Sequence, residues 1–209
     1  MENAPITPDA HYGQIHNSEI RSIAVTKNLK YLLTSEVSNA TIKQFSLTDD
    51  QLVKTYEKIF SFDLYCILVS DDSKTMFASG DSGDIKMFDI EEQKMVRDYG
   101  CRFQGGTVFC MFLGDGVLYL AGSSGSVCGV NLETKEVLWT WCHPGFFNFR
   151  SGGLSSDAGK LWVVSGAGCV NEFGLATWGS REGVEGTKEM VEVQELSQGI
   201  VRAIALSSW

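Results

Sequence analysis

The sequence predicts an all-β fold made of repeated four-stranded antiparallel sheets, and three observations predict it. Among 209 residues there are 22 Gly but only 3 Pro, with Val, Ile, Phe, Tyr and Trp spread along the whole length. That mixture suits short strands joined by tight turns better than long helices. The chain also matches itself at a period of about 43 residues, and a fixed period of that size marks a repeat architecture. Within each period lie four strand-like segments that grow more polar from the first to the last.

The first segment of each period is an apolar strand. It reads Ile20-Arg-Ser-Ile-Ala-Val-Thr, Leu64-Tyr-Cys-Ile-Leu-Val-Ser, Val108-Phe-Cys-Met-Phe-Leu-Gly and Phe149-Arg-Ser-Gly-Gly-Leu-Ser, with a fifth copy at Val201-Arg-Ala-Ile-Ala-Leu-Ser. The second segment spans Tyr31 to Ser35, Thr75 to Gly80, Leu118 to Gly122 and Leu161 to Gly166, each running into a Ser/Gly-rich turn. The third begins at Ile42, Ile85, Val127 and Val170, steps of 43, 42 and 43 residues, and alternates apolar with small or polar positions as a half-buried strand does. The fourth, more polar, covers Gln51 to Ile59, Lys94 to Tyr99, Glu136 to Trp141 and Glu189 to Leu196. A buried first strand and a polar last strand describe a sheet that runs from an axis to a rim, which is a β-propeller blade.

The expected organisation is a lead-in over 1–19 and a propeller segment over 20–209, with repeats at about 20–63, 64–107, 108–148 and 149–199 and the start of another at 200–209. Four blades and the beginning of a fifth fall short of a ring of six to eight, so a missing segment or a second chain is expected to complete it.

A named resemblance follows from the second repeat. Val69-Ser-Asp-Asp-Ser-Lys74, followed by Ser79-Gly-Asp-Ser-Gly-Asp-Ile-Lys-Met-Phe-Asp-Ile90, resembles the WD40 repeat: strand, Asp-x-Ser-Lys turn, strand, Ser-Gly turn, and a third strand ending in an aromatic-Asp pair. The family's Trp-Asp pair is replaced by Phe45-Ser46, Phe88-Asp89, Val130-Asn131 and Phe173-Gly174, and only His16 stands where the family's Gly-His precedes a repeat. The family's buried His-Ser-Asp-Trp network is therefore expected to be absent from most blades, which hold by apolar packing. The third repeat, Leu118-Tyr-Leu-Ala-Gly-Ser-Ser-Gly-Ser-Val through Asn131-Leu-Glu-Thr-Lys-Glu-Val-Leu-Trp139, also resembles quinoprotein-type blades. That second resemblance implies the alternative of a propeller that binds a cofactor or small ligand.

Charge and motifs narrow the function. A net charge of −9 with no Lys/Arg cluster repels phosphate backbones and argues against nucleic acid. Neither a basic-then-apolar leader nor a run of roughly 18 apolar residues occurs, so no membrane insertion is expected; the expected location is intracellular, the cytoplasm first and the nucleus second. Cys66, Cys101, Cys110, Cys128, Cys142 and Cys169 form no CxxC pair, which points to free thiols rather than a zinc or redox site. Gly80-Asp-Ser-Gly83 resembles a serine-protease nucleophile motif, but no suitable base accompanies Ser82, and its place between two strands makes it a turn. Phosphate loops, paired catalytic carboxylates and a completed metal set around Cys142-His143 are all lacking.

The reading is a non-catalytic scaffold with no cofactor, binding protein or peptide partners. The repeat register places Arg21, Tyr65, Phe109, Arg150 and Arg202 at one equivalent position, the second residue of each innermost strand, beside the channel mouth. Arg and aromatic residues dominate interface hot spots, and this rim is a common partner site in the family resembled. The connections into those strands add Phe62 and Asp63, Gln104, and Phe146, Phe147 and Asn148 as candidates. Trp139 and Trp141, two apart on a fourth strand, are expected to pack against the next blade.

Overall fold

The computed structural model describes residues 13–104, 106–143, 145, 148–155, 159–175 and 190–193. It contains four antiparallel four-stranded sheets arranged as propeller blades. The first is β1 (Ile20–Val25), β2 (Tyr31–Glu36), β3 (Thr41–Ser46) and β4 (Leu52–Tyr56). The second is β5 (Leu64–Val69), β6 (Thr75–Gly80), β7 (Asp84–Asp89) and β8 (Lys94–Cys101), and the third is β9 (Val108–Gly114), β10 (Val117–Gly122), β11 (Ser126–Asn131) and β12 (Val137–Cys142). The fourth is β13 (Phe149–Leu154), β14 (Lys160–Ser165), β15 (Val170–Gly174) and β16 (Met190–Val193). Each sheet pairs its strands in chain order, so every repeat is one meander whose inner strand is its first. The expected fifth start at 200–209 lies outside the described residues.

Three apolar cores hold the four sheets together, one per interface. Tyr31, Leu33, Ile42 and Tyr56 of the first sheet meet Leu64, Ile67, Met76 and Phe88 of the second. Phe77, Ile85 and Tyr99 meet Met111, Leu118 and Val130. Tyr119, Val127, Trp139 and Trp141 meet Phe149, Leu161 and Phe173. Period-2 alternation explains the division: Phe77 points one way and Met76 and Ala78 the other, so both faces of an inner blade are buried. Burying each such side chain is worth about 1.5–3 kcal/mol. The two tryptophans lie against the fourth blade as expected, Trp139 stacked on Phe173 at 6.1 Å and Trp141 edge-on to the same ring at 5.1 Å.

Polar residues define the turns. At the end of the sheets away from the inner-strand starts, Thr26, Ser70 and Ser155 each accept a hydrogen bond from the backbone five residues on, at 2.9, 3.0 and 2.9 Å. Such side-chain bonds stand in for a backbone partner in a tight turn. The third sheet has no hydroxyl there. It uses a two-residue Asp115-Gly116 turn with φ of 49° and 73°, the type I′ geometry that suits Asp-Gly between twisted strands.

Among the described residues, the buried histidine network lies in the first blade. His16 Nδ1 lies 3.0 Å from Glu36 Oε2 and Nε2 lies 2.8 Å from Thr34 Oγ1. Burial opposes ionisation of Glu36, but bonds from Asn39, His16 and the Asn17 backbone hold its carboxyl below the usual range. In the second sheet, Phe60 stands four residues before its inner strand as His16 does, and Ala78 replaces Thr34, so that corner is apolar. The β4 strand ends at Tyr56, short of the expected Ile59, because the Ile59 N–H turns to the Ala40 carbonyl at 3.2 Å.

Candidate functional site

The end of the propeller where the inner strands begin is built by one repeated hydrogen bond. The turn after each second strand donates to the residue before its inner strand: Val37 to Glu19, Asp81 to Asp63, Ser123 to Thr107 and Gly166 to Asn148, at 3.1, 3.1, 2.9 and 3.0 Å. Each connection is thereby pinned where it enters its inner strand. Glycine makes the approach feasible in the middle blades. A Cβ on Gly80 would stand 1.9 Å from the Asp63 carbonyl oxygen, and one on Gly122 2.0 Å from that of Thr107.

A second set of contacts ties the same connections down, and sequence reading missed it. Lys43 Nζ donates to the Ile15 carbonyl, Lys86 Nζ to that of Ile59 at 2.6 Å, and the Cys128 thiol to that of Arg102 at 3.9 Å. These three residues occupy one position on the third strands. The recurring Ile-Lys dipeptide at 42–43 and 85–86 was the available signal. Lys86 also lies over the Phe60 ring at 5.0 Å.

The pinned strands bring four of the five register-equivalent residues into a continuous row. The Arg21 guanidinium lies over Tyr65 at 5.4 Å, Tyr65 meets Phe109 edge to face at 5.5 Å, and the Arg150 guanidinium covers Phe109 at 3.9 Å. The row crosses all four blades, from β1 through β5 and β9 to β13. Cation–π contact of this kind is worth about 0.5–1 kcal/mol at exposed sites, enough to bias the long arginine side chains toward one geometry. Arg21 also pairs with Glu19 at 3.3 Å, and Arg150 is exposed. Burial, then Asp81 and Asp63, raise the Tyr65 phenol above its ordinary range, while Arg21 and Arg150 pull the other way. Its hydroxyl stays protonated, a donor set among two carboxylates and two guanidinium groups.

Beside the row, between the first and second blades, lies a cleft of about 350 Å³ lined by Ser38, Asn39, Lys58, Phe60, Ser61, Phe62 and Asp63. Phe62 is 55% exposed, an aromatic face next to an ammonium group and a carboxylate. Ser38, Asn39 and Lys58 were not foreseen, because only the fold brings the β2–β3 turn against the connection into β5. Gln104 is exposed and Asn148 accepts from the Ser124 backbone at 3.2 Å. Phe146, Phe147 and Arg202 lie outside the described residues.

Chemically, the face offers guanidinium, phenol and aromatic groups. Ser82 donates to Asp84 at 2.8 Å inside a turn closed by Gly83 N–H to Gly80 carbonyl at 3.3 Å. Among the described residues no three His, Cys, Asp or Glu side chains gather as a metal site, and no helix is long and apolar enough to cross a membrane. All six cysteines are free; burial pushes the Cys66 and Cys128 thiols up to about 12.

Comparison with known proteins places the fold. The chain is similar to the crystal structure of the RRP9 WD40 repeats, with a TM-score of 0.66 and 17% identity over 75% of this chain and 48% of that one. It thus spans about half the length of the solved propeller it matches. The matching solved chains number 1406, so the fold by itself selects no function. No family model and no curated protein matches the sequence.

Proposed function

We propose that the chain is a non-catalytic interaction scaffold of the WD40-propeller type, and that protein or peptide partners seat on the face where the inner strands begin. The observation that carries this reading is the Arg21–Tyr65–Phe109–Arg150 row. Its two guanidinium planes are pre-positioned on aromatic rings at 5.4 and 3.9 Å, which lowers the ordering cost of binding. The residue types are those that supply most interface energy. Phe62 and Asp63 extend the surface into the adjacent cleft, and the register assigns Phe146, Phe147 and Arg202 to the same face. A propeller with recognition groups at the channel mouth binds extended or loop segments of other proteins, with aromatic faces supplying area and arginines setting orientation.

Site-specific photo-cross-linking in cells tests the reading. A photo-reactive amino acid at Phe62 should capture discrete proteins, and the same group at Asp115, in the turn at the far end of the third sheet, should not. Equal capture at both positions, or none at Phe62, would sink the proposal.

A further inference from the structure

The cleft between the first and second blades holds two opposite charges, and neither has a partner. Among the described residues, the Lys58 ammonium and the Asp63 carboxylate make no hydrogen bond or ion pair, with each other or with any neighbour. Both line the same space of about 350 Å³, and the Phe62 ring, 55% exposed, lines it with them. A charge left unpaired in a concave site is a recognition group as much as a solvated one. Two of opposite sign in one cleft ask for a ligand that carries both.

The backbone holds these groups in place. Next to Lys58, the Ile59 N–H donates to the Ala40 carbonyl at 3.2 Å, and the Ile59 carbonyl accepts from Lys86 Nζ at 2.6 Å. The Asp63 carbonyl accepts from the Asp81 N–H at 3.1 Å, and the Leu64 N–H beside it donates to the Val37 carbonyl at 3.3 Å. The facing wall is tied as well, since Asn39 Nδ2 donates to the buried Glu36 carboxylate at 2.7 Å. Cation, aromatic face and anion are thus spaced by a loop clamped at both ends. The combination belongs to this connection alone: Ser18-Glu19 and Gly106-Thr107 stand where Phe62-Asp63 does, and Asn148 is uncharged.

We propose that this cleft takes a segment of a partner protein bearing one basic and one acidic side chain, the basic group lying on Phe62 and pairing with Asp63, the acidic group pairing with Lys58. The inference rests on the scaffold reading and names what that scaffold recognises. Charge complementarity selects the occupant. A purely basic segment brings a cation against Lys58 and a purely acidic one brings a carboxylate against Asp63, so each leaves one charge of the cleft desolvated and unmatched. A mixed segment matches both. An aromatic face attracts the cation through its ring quadrupole, and the carboxylate–ammonium contact is a charge-assisted hydrogen bond. The net charge of −9 steers the basic group in from solution.

Peptide selection with the purified full chain tests it. The probes are immobilised libraries of equal length on a background of Ala, Ser, Gln, Leu and Phe, acetylated and amidated so that their termini carry no charge. One library contains an Arg and an Asp at varied spacing, the others Arg only, Asp only, or neither. The mixed library should yield peptides bound about tenfold more tightly than either single-charge library, the worth of one charge-assisted contact. Lys58→Gln and Asp63→Asn, each removing a charge that has no partner in the fold, should each erase that preference. Lys58→Glu combined with Asp63→Lys should restore it, with Arg and Asp selected in the opposite order. Single-charge or uncharged peptides bound as tightly as mixed ones, a preference that both neutral variants keep, or binding of no library overturns the proposal. The scaffold reading is scored separately by the cross-linking at Phe62. Proteins captured there without a mixed-charge preference remove this inference and leave that reading standing, and a mixed-charge preference without captured proteins does the reverse.

Discussion

Replacing Gly80 by alanine tests how tightly the connections into the inner strands are held. The Cβ of Gly80→Ala would stand 1.9 Å from the Asp63 carbonyl oxygen and 3.2 Å from the Leu64 Cα, both backbone atoms. Carbon and oxygen do not approach within 3.0 Å in this setting, so the Asp63 peptide must retreat by roughly 1 Å or more. Doing so stretches the 3.1 Å bond from Asp81 N–H to the same carbonyl and shifts the start of β5, whose Leu64 is fully buried. Overpacking that forces backbone movement costs about 1–3 kcal/mol. For a domain of this size that corresponds to a melting temperature lowered by roughly 2–12 °C. Gly166 is the control, since a Cβ there meets nothing within 4 Å, and Gly166→Ala should stay within about 0.5 kcal/mol of the unaltered chain. Thermal melts followed by circular dichroism decide it. A Gly80→Ala protein melting with the unaltered chain, or a Gly166→Ala protein melting as low as Gly80→Ala, would refute the argument that backbone approach fixes this corner.

Other consequences are as direct. Phe77→Ala, removing a ring 1% exposed between the second and third blades, should cost about 3–5 kcal/mol, measured by urea denaturation. Glu36, whose folded-state pKa lies below its ordinary 4.5, contributes stability that is present above that value and is lost as pH falls through the folded one. Acid denaturation should therefore be less steep in Glu36→Gln, and an unchanged profile would contradict the His16–Glu36 network. Alkylation of the native protein at neutral pH should modify exposed Cys101 and Cys142 ahead of Cys66 and Cys128, whose thiols burial holds at about 12. Peptide mapping by mass spectrometry reads the order.

Much of the fold was legible because a repeat encodes its register directly. The 43-, 42- and 43-residue steps between Ile42, Ile85, Val127 and Val170 place like positions on like strands, so the alignment of Arg21, Tyr65, Phe109 and Arg150 needed no coordinates. Whether those residues touch was not legible, because contact between inner strands depends on how blades lean on one another. The row joins them at 3.9–5.5 Å. The cleft escaped for the same reason: Ser38 and Lys58 lie 20 residues apart and are brought together by the bonds from Ile59 N–H to the Ala40 carbonyl at 3.2 Å and from Leu64 N–H to the Val37 carbonyl at 3.3 Å. His16 could be placed before the first repeat from its position, but its partner Glu36 stands where the second and third blades have Gly80 and Gly122. No repeat consensus would have named it. Ile23 shows the limit most clearly. Its sequence neighbourhood matches that of buried Ile67, and it is exposed because, among the described residues, β1 has a neighbouring sheet on one side only.

Quantitative affinity purification of the full chain beside its Arg21→Glu, Arg150→Glu double variant tests the scaffold reading most directly. A second double variant, Lys27→Glu and Lys74→Glu, reverses two charges in turns at the opposite end and serves as the comparison. Losing a hot spot of about 2 kcal/mol lowers affinity roughly thirtyfold. Proteins captured by the unaltered chain should therefore be depleted with the Arg21, Arg150 variant and retained with the comparison variant, both remaining folded. The same proteins captured equally by all three forms would contradict the account.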